Sequence, residues 1–185
     1  MLAAVTELYL AGQRVDLTVV AARLGLGRAT IYRWFGSREV LLGEVIARQL
    51  ELVVARKRAQ VRRRGAEGLL EVLDRVNQTL TRSRAVRRLL ELERHGAMRM
   101  LTSSAGVIEP RAVGCIPALI EEAMVVSGYE PPADPATLAY ALVHLRHAFL
   151  RNDATNGVRG DYERLREVQA ALLGIPRQAR AGAGR

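Results

Sequence analysis

Apolar residues recur at intervals of three and four through most of this chain, and no stretch sustains the alternation of a strand. The pattern predicts about nine helices. Leu2, Val5, Leu8 and Tyr9 stripe a first helix over 2–11, which Gly12 closes as a C-cap. Val19, Val20, Ala22 and Leu24 give a second helix its inner face, with Thr18 placed to cap it. Gly25-Leu26-Gly27 then breaks the chain. A third helix, from about Arg28 to Phe35, sets Ile31 and Phe35 on one inner face and leaves Arg28, Thr30, Arg33 and Trp34 outward. Ser37 caps a long fourth helix over 38–63, roughly 37 Å from end to end. Its stripe is Leu41, Leu42, Val45, Ile46, Gln49, Leu52 and Val53, and Arg62-Arg63-Arg64 complement the dipole at its C-terminus.

Beyond Gly65 the pattern continues without the basic bias. A fifth helix over 66–81 carries Leu69, Leu70, Leu73, Val76 and Leu80. A sixth, capped by Ser83, runs to about Leu101 through Gly96, and a seventh starts near Pro110 and bends at Pro117 before Ser127-Gly128. Asp134-Pro135 opens an eighth over 135–152, and Asp161 a ninth over 162–173. The breaks are at Gly157 to Gly160 and before the small, basic tail 176–185, which is expected to be disordered.

Composition sharpens this all-α reading. Hydrophobic residues make up 49% and aromatics 4%, so the core is built from Leu, Val, Ala and Ile. No apolar run is long enough to span a membrane, and no secretory signal is visible. A lone cysteine, Cys115, fits a reducing cytoplasm. The net charge of +9 is uneven: residues 1–64 hold twelve basic side chains against five acidic, residues 65–185 sixteen against fourteen. The excess sits with the short helices, where phosphates would be attracted. A merely solvated basic face is the plainer alternative.

The run Gly25 to Phe35, GLGRATIYRWF, followed by Gly36-Ser37-Arg38-Glu39-Val40-Leu41-Leu42, resembles the DNA-binding region of TetR-family transcriptional regulators. The resemblance implies a helix-turn-helix domain over 1–46 and a helical ligand-binding and dimerisation domain over 47–175. It implies that Arg28 bonds a guanine, and that Ala29 and Thr30 touch thymine methyls. Tyr32 meets a phosphate, Arg33 a phosphate or base, and Trp34 a reading position. Thr18 and Arg38 meet phosphates at helix starts. Gly27 stands where the family commonly has a Ser cap, Ala29 for a common Gly, Trp34 for a common His, and no basic arm precedes Leu2. The second half is faintly similar to the branch that regulates degradation of lactone quorum signals.

The same resemblance implies a cytoplasmic homodimer joined through its last two helices, a pseudo-palindromic double-stranded operator, and repression relieved by a small-molecule effector. His95, Met98, Arg99, Cys115, Tyr140, His144 and His147 are the residues expected to line the effector pocket. His144 and His147 alone do not make a metal site, and no metal or cofactor is expected. Three histidines and scattered carboxylates form no nucleophile–base arrangement, which counts against an enzyme. A sequence-independent DNA-binding or interaction module is the remaining alternative.

Overall fold

The computed structural model describes residues 1–93, 96–156 and 162–176, and among them it contains eleven helices and no strand. They are α1 (Leu2–Leu10), α2 (Leu17–Arg23), α3 (Arg28–Phe35), α4 (Arg38–Gln60), α5 (Gly65–Arg82) and α6 (Arg84–Leu92). The remainder are α7 (Ala97–Thr102), α8 (Ile108–Gly114), α9 (Pro117–Ser127), α10 (Pro135–Asn156) and α11 (Tyr162–Leu172). Two expected helices are each divided. The sixth stops at Leu92 and resumes as α7, and the seventh breaks before Pro117, which becomes the first residue of α9 rather than a bend within one helix. Proline costs nothing in a first turn, where its missing N–H would have no partner.

Caps explain most of the boundaries. Ser37 accepts from the Val40 amide at 3.1 Å and Ser83 from Val86 at 3.4 Å, as expected. Asp134 accepts from the Ala136 and Thr137 amides and starts α10. At α2 the cap is Asp16, not Thr18: its backbone is extended and its carboxylate accepts from the Thr18 amide at 2.7 Å. A carboxylate outranks a threonine hydroxyl here because it also meets the positive end of the helix dipole. The expected break of Asp161 and Gly157 to Gly160, and the tail from 177 on, lie outside the described residues.

The long α4 ends three residues early. Val61 turns extended and buries its side chain beside Val54, Val72 and Val76, so Arg62 to Arg64 lie in the connection to α5 and not on the helix. Leu52, placed on the inner stripe by periodicity, is 49% exposed, and Val54 takes the buried position. At 23 residues α4 is about 34 Å long, and it crosses both halves of the molecule. Arg111 of α8 grips it at two levels, Glu44 at 2.7 Å and Glu51 through two nitrogens at 2.7 and 2.5 Å. Further down, Arg58 pairs with Glu122 of α9.

The core does not divide where α4 crosses. Val5, Tyr9, Val20, Ile31, Leu41 and Leu42 of the N-terminal helices share one cluster with Ala85, Leu89, Ala97, Leu101 and Ile108. A second cluster joins Leu69, Leu70 and Leu73 of α5 to Ile116, Ile120, Leu138, Leu142 and Leu173. The N-terminal head is thus packed directly onto α6 and α7.

Candidate DNA interface and ligand cavity

Two short helices and a glycine turn build the outer surface of the head. Gly25 adopts φ +63, a conformation that side-chain-bearing residues rarely take, and turns α2 into α3. In α3 only Ile31 is buried; Arg28, Ala29, Tyr32, Arg33 and Trp34 are exposed, while Thr30 and Phe35 are intermediate. One helix face thus presents two arginines and two aromatic rings to solvent. Arg28 stacks over Tyr32, its guanidinium carbon 5.9 Å from the ring centre, so the two side chains hold each other in place. No side chain caps the N-terminus of α3, where Gly27 stands, and this end of the helix favours an anion. Thr18, in the first turn of α2, is exposed. The Thr18 amide holds the Asp16 carboxyl below the usual carboxylate range.

Arg38 is the departure. The resemblance puts it at the start of α4 facing a phosphate; in the structure its guanidinium is engaged within the protein. Its Nε donates to the Val15 carbonyl and its Nη2 to Glu93, both at 2.6 Å. The side chains of the pair are 19% and 18% exposed. Arg38 therefore ties α4, the α1–α2 connection and the end of α6 into one joint.

The body holds a partly open cavity of about 210 Å³ lined by α1, α4, α5, α6, α7, α8, α10 and α11. Its wall is aliphatic: Ile46, Leu50, Val53, Leu73, Val76, Leu80, Val86, Leu101, Ile108, Leu142 and Leu150 among others. Polar groups interrupt it at Gln49, Asn77, Thr79, Ser83, Arg146, His147 and Gln169. Asn77 donates to Gln169 at 3.2 Å, and both residues are buried. Nε and Nη1 of Arg146 are shielded from solvent. An apolar chamber with a few fixed polar groups is the usual make-up of a small-molecule site.

Of the side chains expected around such a pocket, His147 is on the wall, and Met98, Arg99, Cys115, Tyr140 and His144 are not. His95 lies outside the described residues. Arg99 is exposed on α7, and Tyr140, 56% exposed, stacks on His144 at 3.8 Å between ring centres on the outer side of α10. Cys115 packs beside Val54 and Val72, and burial pushes its thiol up, away from reactivity. The expectation favoured rare, chemically distinctive residues; the cavity is made by common ones. One signal was legible, since Gln49 stands on the inner stripe of α4 and Asn77 on that of α5, polar residues where the period calls for apolar ones. Glu109, buried on α8, lies 3.5 Å from His144 Nε2 and 3.7 Å from His147 Nδ1, a carboxylate the sequence did not place near them. Among the described residues no group of three His, Cys, Asp or Glu is arranged to hold a metal ion. Nor is any helix among them long and apolar enough to cross a membrane.

Comparison with known proteins gives the surface and the cavity a context. The profile described as "Tetracyclin repressor-like, C-terminal domain" matches residues 64–174. The solved structure of the R. erythropolis transcriptional repressor QsdR, of the TetR family, is similar to this chain with a TM-score of 0.89 and 28% identity. That similarity covers 96% of this chain and 94% of QsdR. No curated protein matches the chain.

Proposed function

The chain belongs to the TetR family of transcriptional regulators, and we propose that it is a homodimeric repressor whose hold on an operator is released by a small apolar effector. The observation that carries the reading is the outer face of α3, where Arg28, Ala29, Tyr32, Arg33 and Trp34 stand exposed on a helix that buries only Ile31. A helix of this size fits the major groove. Arg28 reads a guanine edge, Ala29 and Thr30 meet thymine methyls, and Tyr32, Arg33 and Thr18 fix the head on phosphates. Trp34 packs at the far end of the groove. Arg38 contributes by setting the angle of the head rather than by touching DNA, since its guanidinium is already engaged.

Two heads reach successive half-sites about 34–36 Å apart. Helices α10 and α11 carry the exposed Tyr140 and Val168, which supports pairing of two copies through these last two helices. The effector occupies the aliphatic cavity, where it bears on α4 and α6 together. The molecule is a regulator and not an enzyme, as its family is.

The test is fluorescence anisotropy with the promoter fragment of the chain's own gene and a scrambled fragment of equal length, over a salt series. A preference for the promoter of 10³-fold or more is expected, in the ordinary range for specific DNA recognition of about 10³–10⁷. Equal, salt-sensitive binding to both fragments would leave only a non-specific phosphate-binding module.

A further inference from the structure

One wall of the cavity belongs to the DNA-reading head. Tyr9 and Leu10, in the last turn of α1, line it beside Ser83, the cap of α6, and Val86 within that helix. Tyr9 is only 6% exposed, and its hydroxyl makes no hydrogen bond to any described residue. A phenol hydroxyl that is unpaired within the protein and reachable from the space beside it is left to water or a ligand for its hydrogen bond. Burial also pushes its pKa up to about 12, so the group stays a neutral donor at physiological pH.

Tyr9 separates two spaces. On one side is a narrow cleft of about 10 Å³ shared with Arg38, Glu93 and Leu89, which has room for about one water. On the other is the cavity of about 210 Å³. Apart from Tyr9 itself, the described wall of that cavity has no phenyl, phenol or indole ring on which a planar ligand would stack. It suits a flexible aliphatic chain, and the one thing such a chain lacks for Tyr9 is an acceptor.

We propose that the Tyr9 hydroxyl is an effector-binding group, donating a hydrogen bond to an acceptor oxygen of an aliphatic ligand seated in the cavity. This rests on the reading of the cavity as the effector site. It adds that the head itself holds part of the ligand. Occupancy then acts on α1 directly, at the residue that shares the cleft with the Arg38–Glu93 joint, as well as through α4.

The test uses the full chain with methyl hexanoate, methyl octanoate and methyl decanoate as acceptor-bearing probes and n-hexane as a probe without an acceptor. Kd is measured by calorimetry or ligand-induced thermal shift for the wild type and Tyr9→Phe. The expected result is that Tyr9→Phe weakens the tightest ester by about 3–10-fold, the range for one neutral hydrogen bond. Its effect on n-hexane stays under twofold. In the wild-type protein, the Cζ resonance of Tyr9 moves on adding the ester and not on adding n-hexane, a readout that does not depend on the variant folding. Equal changes for ester and n-hexane, or no change for either with a stationary Tyr9 resonance, would overturn the assignment while leaving the cavity as the effector site. Failure of every probe to bind the wild type would overturn both.

Discussion

Arg38 and Glu93 stand 55 residues apart in sequence and meet at 2.6 Å, closing the N-terminus of α4 onto the end of α6. The same guanidinium holds the Val15 carbonyl, so three segments of chain share one cation. Because the pair is largely shielded, its hydrogen bonds are worth more than those of a surface ion pair. Arg38→Met is expected to lower stability by about 1.5–3 kcal/mol, the range for hydrogen bonds to charged groups. Urea unfolding of Arg38→Met, Glu93→Gln and the double variant checks it. A double-variant loss well short of the sum of the single losses is expected; strict additivity would mean the two side chains do not act together.

Trp34 is the single tryptophan of the chain and is 56% exposed on α3. Its fluorescence therefore reports on the face assigned to DNA without any label. Titration with the promoter fragment should change its intensity and lower its accessibility to iodide at least twofold, an order-of-magnitude expectation for an indole moved from water into a groove. An indole as accessible in the complex as in the free protein would remove α3 from the interface.

Arg28 and Arg33 lie on the same helix with different expected consequences. Arg28→Ala should cost about 1–3 kcal/mol on the promoter and much less on scrambled DNA, because it removes a base contact. Arg33→Ala should weaken both and reduce the salt slope by about one, as loss of a phosphate contact does. Anisotropy across the two fragments and a salt series separates the outcomes.

Filling the cavity should uncouple release from binding. Val53 lies on the wall from α4, and Val53→Phe adds volume into open space, so the strain should stay at the low end of the roughly 1–3 kcal/mol typical of overpacking. The variant is expected to hold promoter DNA with unchanged affinity and to need at least tenfold more effector for half-release. That figure corresponds to about 1.4 kcal/mol of lost binding. Loss of DNA affinity in the effector-free variant would show that the cavity wall also sets the position of the head.

Asp16 gives a pH dependence with a defined sign. The Thr18 amide stabilises its carboxylate, so its folded pKa lies below the unfolded value. Its contribution is then full above the ordinary aspartate pKa of about 3.9 and is lost as the pH falls through the lower folded value. Asp16→Asn, which keeps an acceptor without the charge, should be less stable than the wild type near neutrality and indistinguishable from it in acid. Thermal unfolding from pH 7 downward measures the gap, which should close and never widen.

Sequence alone determined the helical class, the start and end of α3, the caps Ser37, Ser83 and Asp134, and the outer face from Arg28 to Trp34. These follow from period, glycine turns and capping chemistry, all of which act within a few residues. Tertiary structure decided the rest. Val61 ended α4 because a buried place among Val54, Val72 and Val76 was open to it, whereas the Asp16 cap that took the place expected of Thr18 is itself a local contact. Arg38 pairs with Glu93, a partner that no local pattern announces. The cavity arose where eight helices fail to close on one another, so its wall of ordinary Leu, Val and Ile carries no signature along the chain. Local rules give a helix its period, but packing chose the buried face of α2: of the expected Val19, Val20, Ala22 and Leu24 only Val20 is buried, with Leu17 and Ala21, while Val19 is 60% exposed. Only packing fixes which apolar positions are filled by protein and which are left for a ligand.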